Sequence, residues 1–159
     1  MELDPSCAGA HRELGWTLLW DRGAYQEAEE HLRKAIQLEP GNGWAHVYLG
    51  TLLGIRADAE AALAEFRLAA EIHPKWTVPL WSMGDIYECV YEDFDSAQAH
   101  YERALQLDPE DGEALKNLGR LFKKRGRFDL ARECLDRALL LDPDDERVRK
   151  LLREIDAAG

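Results

Sequence analysis

Cysteine is scarce in this chain, with Cys7, Cys89 and Cys134 far apart and no CxxC pair. Their odd number and wide spacing exclude a disulfide framework and a thiolate zinc site, and they favour a reducing, cytoplasmic setting. Cys134 falls where a packed helix wants a small apolar residue, so a buried free thiol is expected there. No apolar run approaches the roughly 18 residues of a membrane span. The first ten residues carry Glu2 and Asp4 rather than a basic, apolar leader, so no signal peptide is expected. Positive charge is also short: the net charge of −11 argues against binding nucleic-acid phosphates or anionic lipid surfaces. There is no GxSxG, phosphate loop, HExxH or dinucleotide fingerprint. The expectation is therefore a non-enzyme with no cofactor and no metal.

What the chain does have is repetition. Leu14-Gly15, Leu49-Gly50, Met83-Gly84 and Leu118-Gly119 recur 34 or 35 residues apart. After each comes a small residue (Ala28, Ala62, Ala97, Ala131), a second seven further on (Ala35, Ala69, Ala104, Ala138), and then Pro40, Pro74, Pro109 or Pro143. Each period holds two apolar stripes of helical spacing separated by a short break. In the last one, Leu115, Leu118, Leu121 and Phe122 precede the turn Arg125-Gly126-Arg127, and Phe128, Ala131, Leu135, Ala138, Leu139 and Leu141 follow it. The spacing predicts an all-α, helical-hairpin solenoid in which each hairpin buries its apolar face only against its neighbours. The small residues mark close helix approaches, and the prolines end the second helices. One extra residue between the glycine and the alanine in the first and third periods must lengthen the turn or bulge the first helix.

These residues closely resemble the tetratricopeptide repeat family, whose signature is W-x2-L-G-x2-Y, then A-x3-F, then proline. The resemblance covers about residues 8–143. The A-x3-F position reads Ala28/Leu32, Ala62/Phe66, Ala97/Tyr101 and Ala131/Leu135, while His11, His46, Leu80 and Leu115 replace the signature tryptophan. It implies a single domain over 1–159: a right-handed solenoid with four repeats at about 8–40, 42–74, 77–109 and 111–143. After Asp144-Asp145-Glu146, the stripe Val148, Leu151, Leu152 and Ile155 reads as a capping helix over about 144–157. Leu3-Asp4-Pro5 looks like the tail of a preceding unit, leaving the first repeat uncapped.

In this family the first helices line a concave, partner-binding face. Carried over by register, that face holds Trp16, Trp20, Trp44, Val47, Tyr48, Trp81 and Asp85, then Asn117, Arg120 and Lys124 in the fourth repeat. It reads as aromatic through three repeats and basic in the last, where Lys123 and Arg125 add charge. That complements a protein or peptide partner with apolar anchors and acidic residues. Blander readings stand beside each assignment. Trp44, Trp76 and Trp81 fit packing positions, and the Arg120–Arg127 cluster fits a solvated helix end. His31 and His100 fit partly exposed surface sites, and the run Asp85, Glu88, Glu92, Asp93 fits a solvated acidic face. The Lys/Asn/Arg clamp that some family members use for chaperone tails is absent, because its positions read Arg12, Trp16, Tyr48, Val78 and Ser82. Two other roles remain open: self-association through the uncapped first repeat into a homo-oligomer, and a recruiting or regulatory module of a larger enzyme or secretion machine.

Overall fold

The prolines act first as helix punctuation. Glu39, His73, Asp108 and Asp142, each just before a proline, take extended backbone with φ of −140°, −127°, −139° and −131°. Steric conflict with the proline ring enforces that conformation and closes the preceding helix. In a computed structural model that describes residues 7–21 and 24–157, the described residues form nine helices. These are α1 (Ala8–Leu19), α2 (Tyr25–Leu38), α3 (Gly43–Ile55), α4 (Ala59–Ile72), α5 (Val78–Cys89), α6 (Phe94–Leu107), α7 (Gly112–Lys124), α8 (Phe128–Leu141) and α9 (Glu146–Asp156). Leu3-Asp4-Pro5 lies outside the described residues.

The chain divides into two compact units, Met1–Lys75 and Trp76–Gly159. In the first, α1 packs on α2, α3 on α4, and α3 also on α1 and α2. In the second, the hairpins α5–α6 and α7–α8 pair in the same way, and α9 covers α8 and part of α7. Val148 and Ile155 of α9 are buried in that unit's core with Leu115, Leu121 and Leu135. Asp145 caps α9, accepting from the amides of Arg147 and Val148 at 2.8 and 3.2 Å, so the acidic start of this helix satisfies its orphan donors directly.

In the third repeat the extra residue goes into the turn, while the first repeat's turn lies partly outside the described residues. Residues 56–58 and 125–127 make three-residue turns, closed by Asp58 N–H to Leu53 O and Arg127 N–H to Phe122 O, both at 2.9 Å. In the third repeat the turn is 90–93, and the closing bond, Asp93 N–H to Tyr87 O at 2.9 Å, spans one residue more. Helices α1 and α5 run unbroken.

Each of these three turns needs one left-handed residue: Gly126 at φ +71°, Ala57 at +62° and Glu92 at +53°. Only the first is glycine. For Ala57 the left-handed conformation costs about 1–2 kcal/mol, and glycine returns roughly half of the gain through its freer unfolded chain. Ala57→Gly is therefore expected to stabilise the first unit by about 0.5–1 kcal/mol, seen as a raised denaturant midpoint with an unchanged slope.

His46, at the signature tryptophan position, is buried. Its Nδ1 meets Glu65 Oε2 at 2.7 Å and its Nε2 meets the Pro40 carbonyl at 3.1 Å. Both partners are acceptors, so both ring nitrogens must donate, which requires the imidazolium. The bond to Glu65, against the penalty of burial, raises the pKa above 6.5. A raised folded pKa means the added stability is complete below the unfolded pKa and is lost as pH rises through the folded one. The advantage of wild type over His46→Gln is expected to shrink progressively above pH 6.5, measured by urea denaturation at a series of pH values.

Candidate functional site

The apolar stripe of α1 does not account for its tryptophans. Trp16 and Trp20 lie four residues apart and share a helical face, with Trp20 as the cap of α1 and 63% exposed. On α3, Trp44 and Tyr48 repeat that spacing, with Trp44 38% exposed. The packing of α1 on α3 joins the pairs. Trp16 stacks on Tyr48 with centroids 4.4 Å apart, Trp20 meets Trp16 edge-on at 5.2 Å, and Trp44 tilts against Tyr48 at 5.6 Å. Arg12 donates to Glu13 at 2.6 and 3.0 Å. Burial, and then the Glu13 charge, raises the Tyr48 pKa and keeps its hydroxyl protonated. The result is a contiguous aromatic surface outside the core. Val47, read as part of the same face, is instead buried at 4% exposure. It stands one position before Tyr48, on the side turned into the hairpin.

The second unit uses its nominated residues differently. Trp81 is half-buried against the core. Asp85 and Arg120 hold each other, with Arg120 Nη2 2.9 Å from Asp85 Oδ1 and 3.0 Å from Glu88 Oε2. Between the two carboxylates sits the fully buried Tyr101, whose hydroxyl shares its single proton between Asp85 at 2.8 Å and Glu88 at 3.1 Å. Burial raises the Asp85 pKa against the lowering effect of Tyr101 and Arg120. Burial, then the Asp85 charge, raises that of Tyr101. The acidic run is thus no solvated face at its start: Glu88 is only 3% exposed. Glu92 and Asp93 do remain exposed, and Asp93 caps α6 through the Ser96 amide at 3.0 Å.

The basic end is largely neutralised within the unit. Lys123 bonds Glu154, Arg125 bonds Asp95 at 2.8 Å, and Lys116 bonds Glu113 at 2.5 Å and Asp145 at 3.0 Å. Lys124 lies over the Phe94 ring at 4.7 Å. Asn117 is buried at 7% exposure and lines a cavity of about 320 Å³ between α7 and α9. Of its lining, Asn117 and Arg120 on α7 are among the residues the sequence nominates for the groove, and the α9 residues are not, because their stripe reads as a capping helix.

The histidines hold one surprise. His11 and His31 stack across α1 and α2 with their Nδ1 atoms 2.7 Å apart, so one ring donates to the other. The Nε2 of His11 is buried without a partner. His100 stacks on Tyr87 at 5.2 Å. Among the described residues no group of three or more His, Cys, Asp or Glu could hold a metal ion.

The family model described as Tetratricopeptide repeat matches residues 19–83 and 91–155. Tetratricopeptide repeat protein 37 of Xenopus laevis is 33% identical over 95 residues, 57% of this chain and 6% of that protein. Protein O-mannosyl-transferase Tmtc3 of Drosophila melanogaster is 30% identical over 110 residues, 69% and 12% of the two chains. Protein CTR9 homolog of Arabidopsis thaliana is 37% identical over 109 residues, 66% and 10%. The chain thus spans 6 to 12% of the length of these relatives. Among solved structures, TTC0263, a thermophilic TPR protein of Thermus thermophilus, superposes with a TM-score of 0.82 at 18% identity, covering 96% of this chain and 82% of that one. MamA superposes at 0.70 with 23% identity, covering 91% and 83%. At such identities these two likenesses show the fold alone.

Proposed function

This chain belongs to the tetratricopeptide repeat family, and from that premise we propose that it is a protein-binding scaffold holding a partner segment against the aromatic face of its first unit. The carrying observation is the aromatic cluster of Trp16, Trp20, Trp44 and Tyr48 on α1 and α3, exposed at Trp20 and Trp44 and half-buried at Trp16 and Tyr48. Core packing does not require a tryptophan that is 63% exposed. Exposed aromatic clusters are also the composition of binding hot spots. An extended or helical segment with apolar anchors fits such a surface. The protein works by binding rather than by catalysis. The free thiols of Cys7 and Cys89, both exposed, support a reducing, cytoplasmic setting, and no described helix is long and apolar enough to cross a membrane.

Trp16→Ala with Trp20→Ala is expected to weaken partner capture from the source lysate by about tenfold or more. Far-ultraviolet circular dichroism should stay unchanged, because the apolar stripe facing α2 is intact. Undiminished capture by the double variant would remove this face from the function. Light scattering at several concentrations separates partner binding from self-association, since a mass that rises with concentration only in wild type would assign the face to a second copy.

A further inference from the structure

We propose that the aromatic face of the first unit takes arginine side chains, so that the partner segment is basic rather than acidic. This rests on the protein-binding reading of that face and names the chemistry of its occupant.

The first observation is the distribution of charge. The basic residues of the fourth repeat do not require an acidic partner, because Lys116, Arg120, Lys123 and Arg125 each hold a carboxylate of their own unit. In the first unit, residues 1–75 carry twelve Asp and Glu against seven Lys and Arg, a formal net charge of −5. The helices that bear the rings are poorer still in cations. Helix α3 contains no Lys, Arg, Asp or Glu, and α1 contains only Arg12 and Glu13. Arg12 directs both of its bonds to one oxygen of that carboxylate, Oε1. Glu13 stays 60% exposed, which leaves Oε2 to an incoming donor, and its charge acts on Tyr48. Neither α1 nor α3 has a basic residue in its last turn, although the partial negative charge of a helix C-terminus favours a cation there. Trp20, the most exposed ring of the cluster, caps α1 at that end.

The second is the character of the rings. Three of the four are indoles, the best aromatic partners for a cation. Trp16 and Tyr48 stack with their planes 27° apart, while Trp20 stands at 88° to Trp16, so the row offers flat faces beside a corner. Glu13, Trp16 and Trp20 follow one another along α1 at spacings of three and four, on one helical face. A planar guanidinium can stack on an indole and donate from its edge to a carboxylate, whereas an ammonium is a strongly hydrated point charge. An aliphatic side chain would cover the same rings but gain nothing from Glu13 or from the helix ends.

The test is a titration of the full, nitrogen-15-labelled chain, following its indole N–H signals by nuclear magnetic resonance. The probes are a capped hexapeptide of alternating leucine and arginine, and counterparts in which lysine, citrulline or glutamate replaces every arginine. The arginine peptide is expected to shift the signals of Trp16, Trp20 and Trp44 saturably and to leave those of Trp76 and Trp81 in place. Citrulline keeps the planar shape and loses the charge, so its peptide should bind about tenfold more weakly. The lysine peptide should fall between the two, and the glutamate peptide should bind weakest. Glu13→Gln, at an exposed position outside the core, leaves the Arg12 charge unopposed. It should weaken the arginine peptide about threefold or more and leave the citrulline peptide unaffected. The proposal is overturned by no saturable shift at about 5 mM arginine peptide, by shifts confined to Trp76 and Trp81, or by indifference to Glu13→Gln. Citrulline or lysine binding as tightly as arginine, or glutamate binding more tightly, overturns it as well. Equal binding of the citrulline peptide would leave the aromatic-face reading standing with an uncharged partner. That reading falls separately, on undiminished lysate capture by the Trp16→Ala, Trp20→Ala variant.

Discussion

Arg120→Ala is expected to destabilise the second unit by about 3 kcal/mol, through the carboxylate it leaves behind rather than through the guanidinium it removes. Glu88 is 3% exposed and is held by Arg120 at 3.0 Å and the Tyr101 hydroxyl at 3.1 Å. Without the arginine its charge keeps one neutral donor and the more distant Lys124 at 3.9 Å. Breaking a buried pair from one side costs about 3–5 kcal/mol. Arg120 is itself 40% exposed, and water can enter beside it, which places the effect at the low end. Burial alone would lower the Arg120 pKa, but its bonds to Glu88 and Asp85 outweigh that and raise it. Removing the charges on both sides should be far milder: Arg120→Met with Glu88→Leu is expected to be more stable than Arg120→Ala alone. Tyr101→Phe restores the residue type found at Phe66 and yet should cost about 1–3 kcal/mol, because two carboxylates lose their shared donor. Chemical denaturation of these variants measures all of this. A neutral Arg120→Ala would mean that Glu88 takes its charge balance from elsewhere.

That network also marks the boundary of what could be read in the chain. The helices and turns were legible because glycine, alanine and proline report local constraints: the backbone φ at Gly126, the close approach at Ala104, the blocked helix before Pro109. Which surface residues stay free depends instead on partners far along the chain. Glu88 resembles Glu92 in any composition argument, and only Tyr101 and Arg120, 13 and 32 residues further on, distinguish it. One signal was available. Tyrosine at position 101, where the other repeats have leucine or phenylalanine, carries a hydroxyl that burial obliges to find an acceptor. Trp16, Asp85 and Arg120 share one register, each directly after the glycine of the Leu-Gly or Met-Gly pair. The first belongs to an open aromatic face, while the other two spend their charge on each other. Repeat register thus locates a face, and the residues paired across neighbouring helices decide whether that face is available.

Gly84→Ala is the second large effect, expected to cost the second unit about 2 kcal/mol net. An ideal Cβ at position 84 would lie 2.5 Å from Cε1 of Tyr101 and 2.8 Å from Cδ1. Overpacking of this kind costs about 1–3 kcal/mol, and the better helix propensity of alanine returns up to about 1 kcal/mol. The comparison positions set the order. Gly15 and Gly119 face the Cγ atoms of Leu32 and Leu135 at 2.6 and 2.7 Å, and a leucine can turn to another rotamer. Gly50 faces the ring of Phe66 at 2.7 Å, and that ring carries no hydroxyl to anchor it. Tyr101 is fixed at its far end by the bonds to Asp85 and Glu88, so it cannot swing away without giving them up. Gly84→Ala should therefore be the most destabilising of the four alanine substitutions. Its cost should also couple to the hydroxyl. Gly84→Ala combined with Tyr101→Phe should be less destabilising than the sum of the single changes, because a ring freed of its tether can move aside. Strict additivity in that double-mutant cycle would show that the close approach of α5 to α6, and not the anchored tyrosine, sets the demand for glycine.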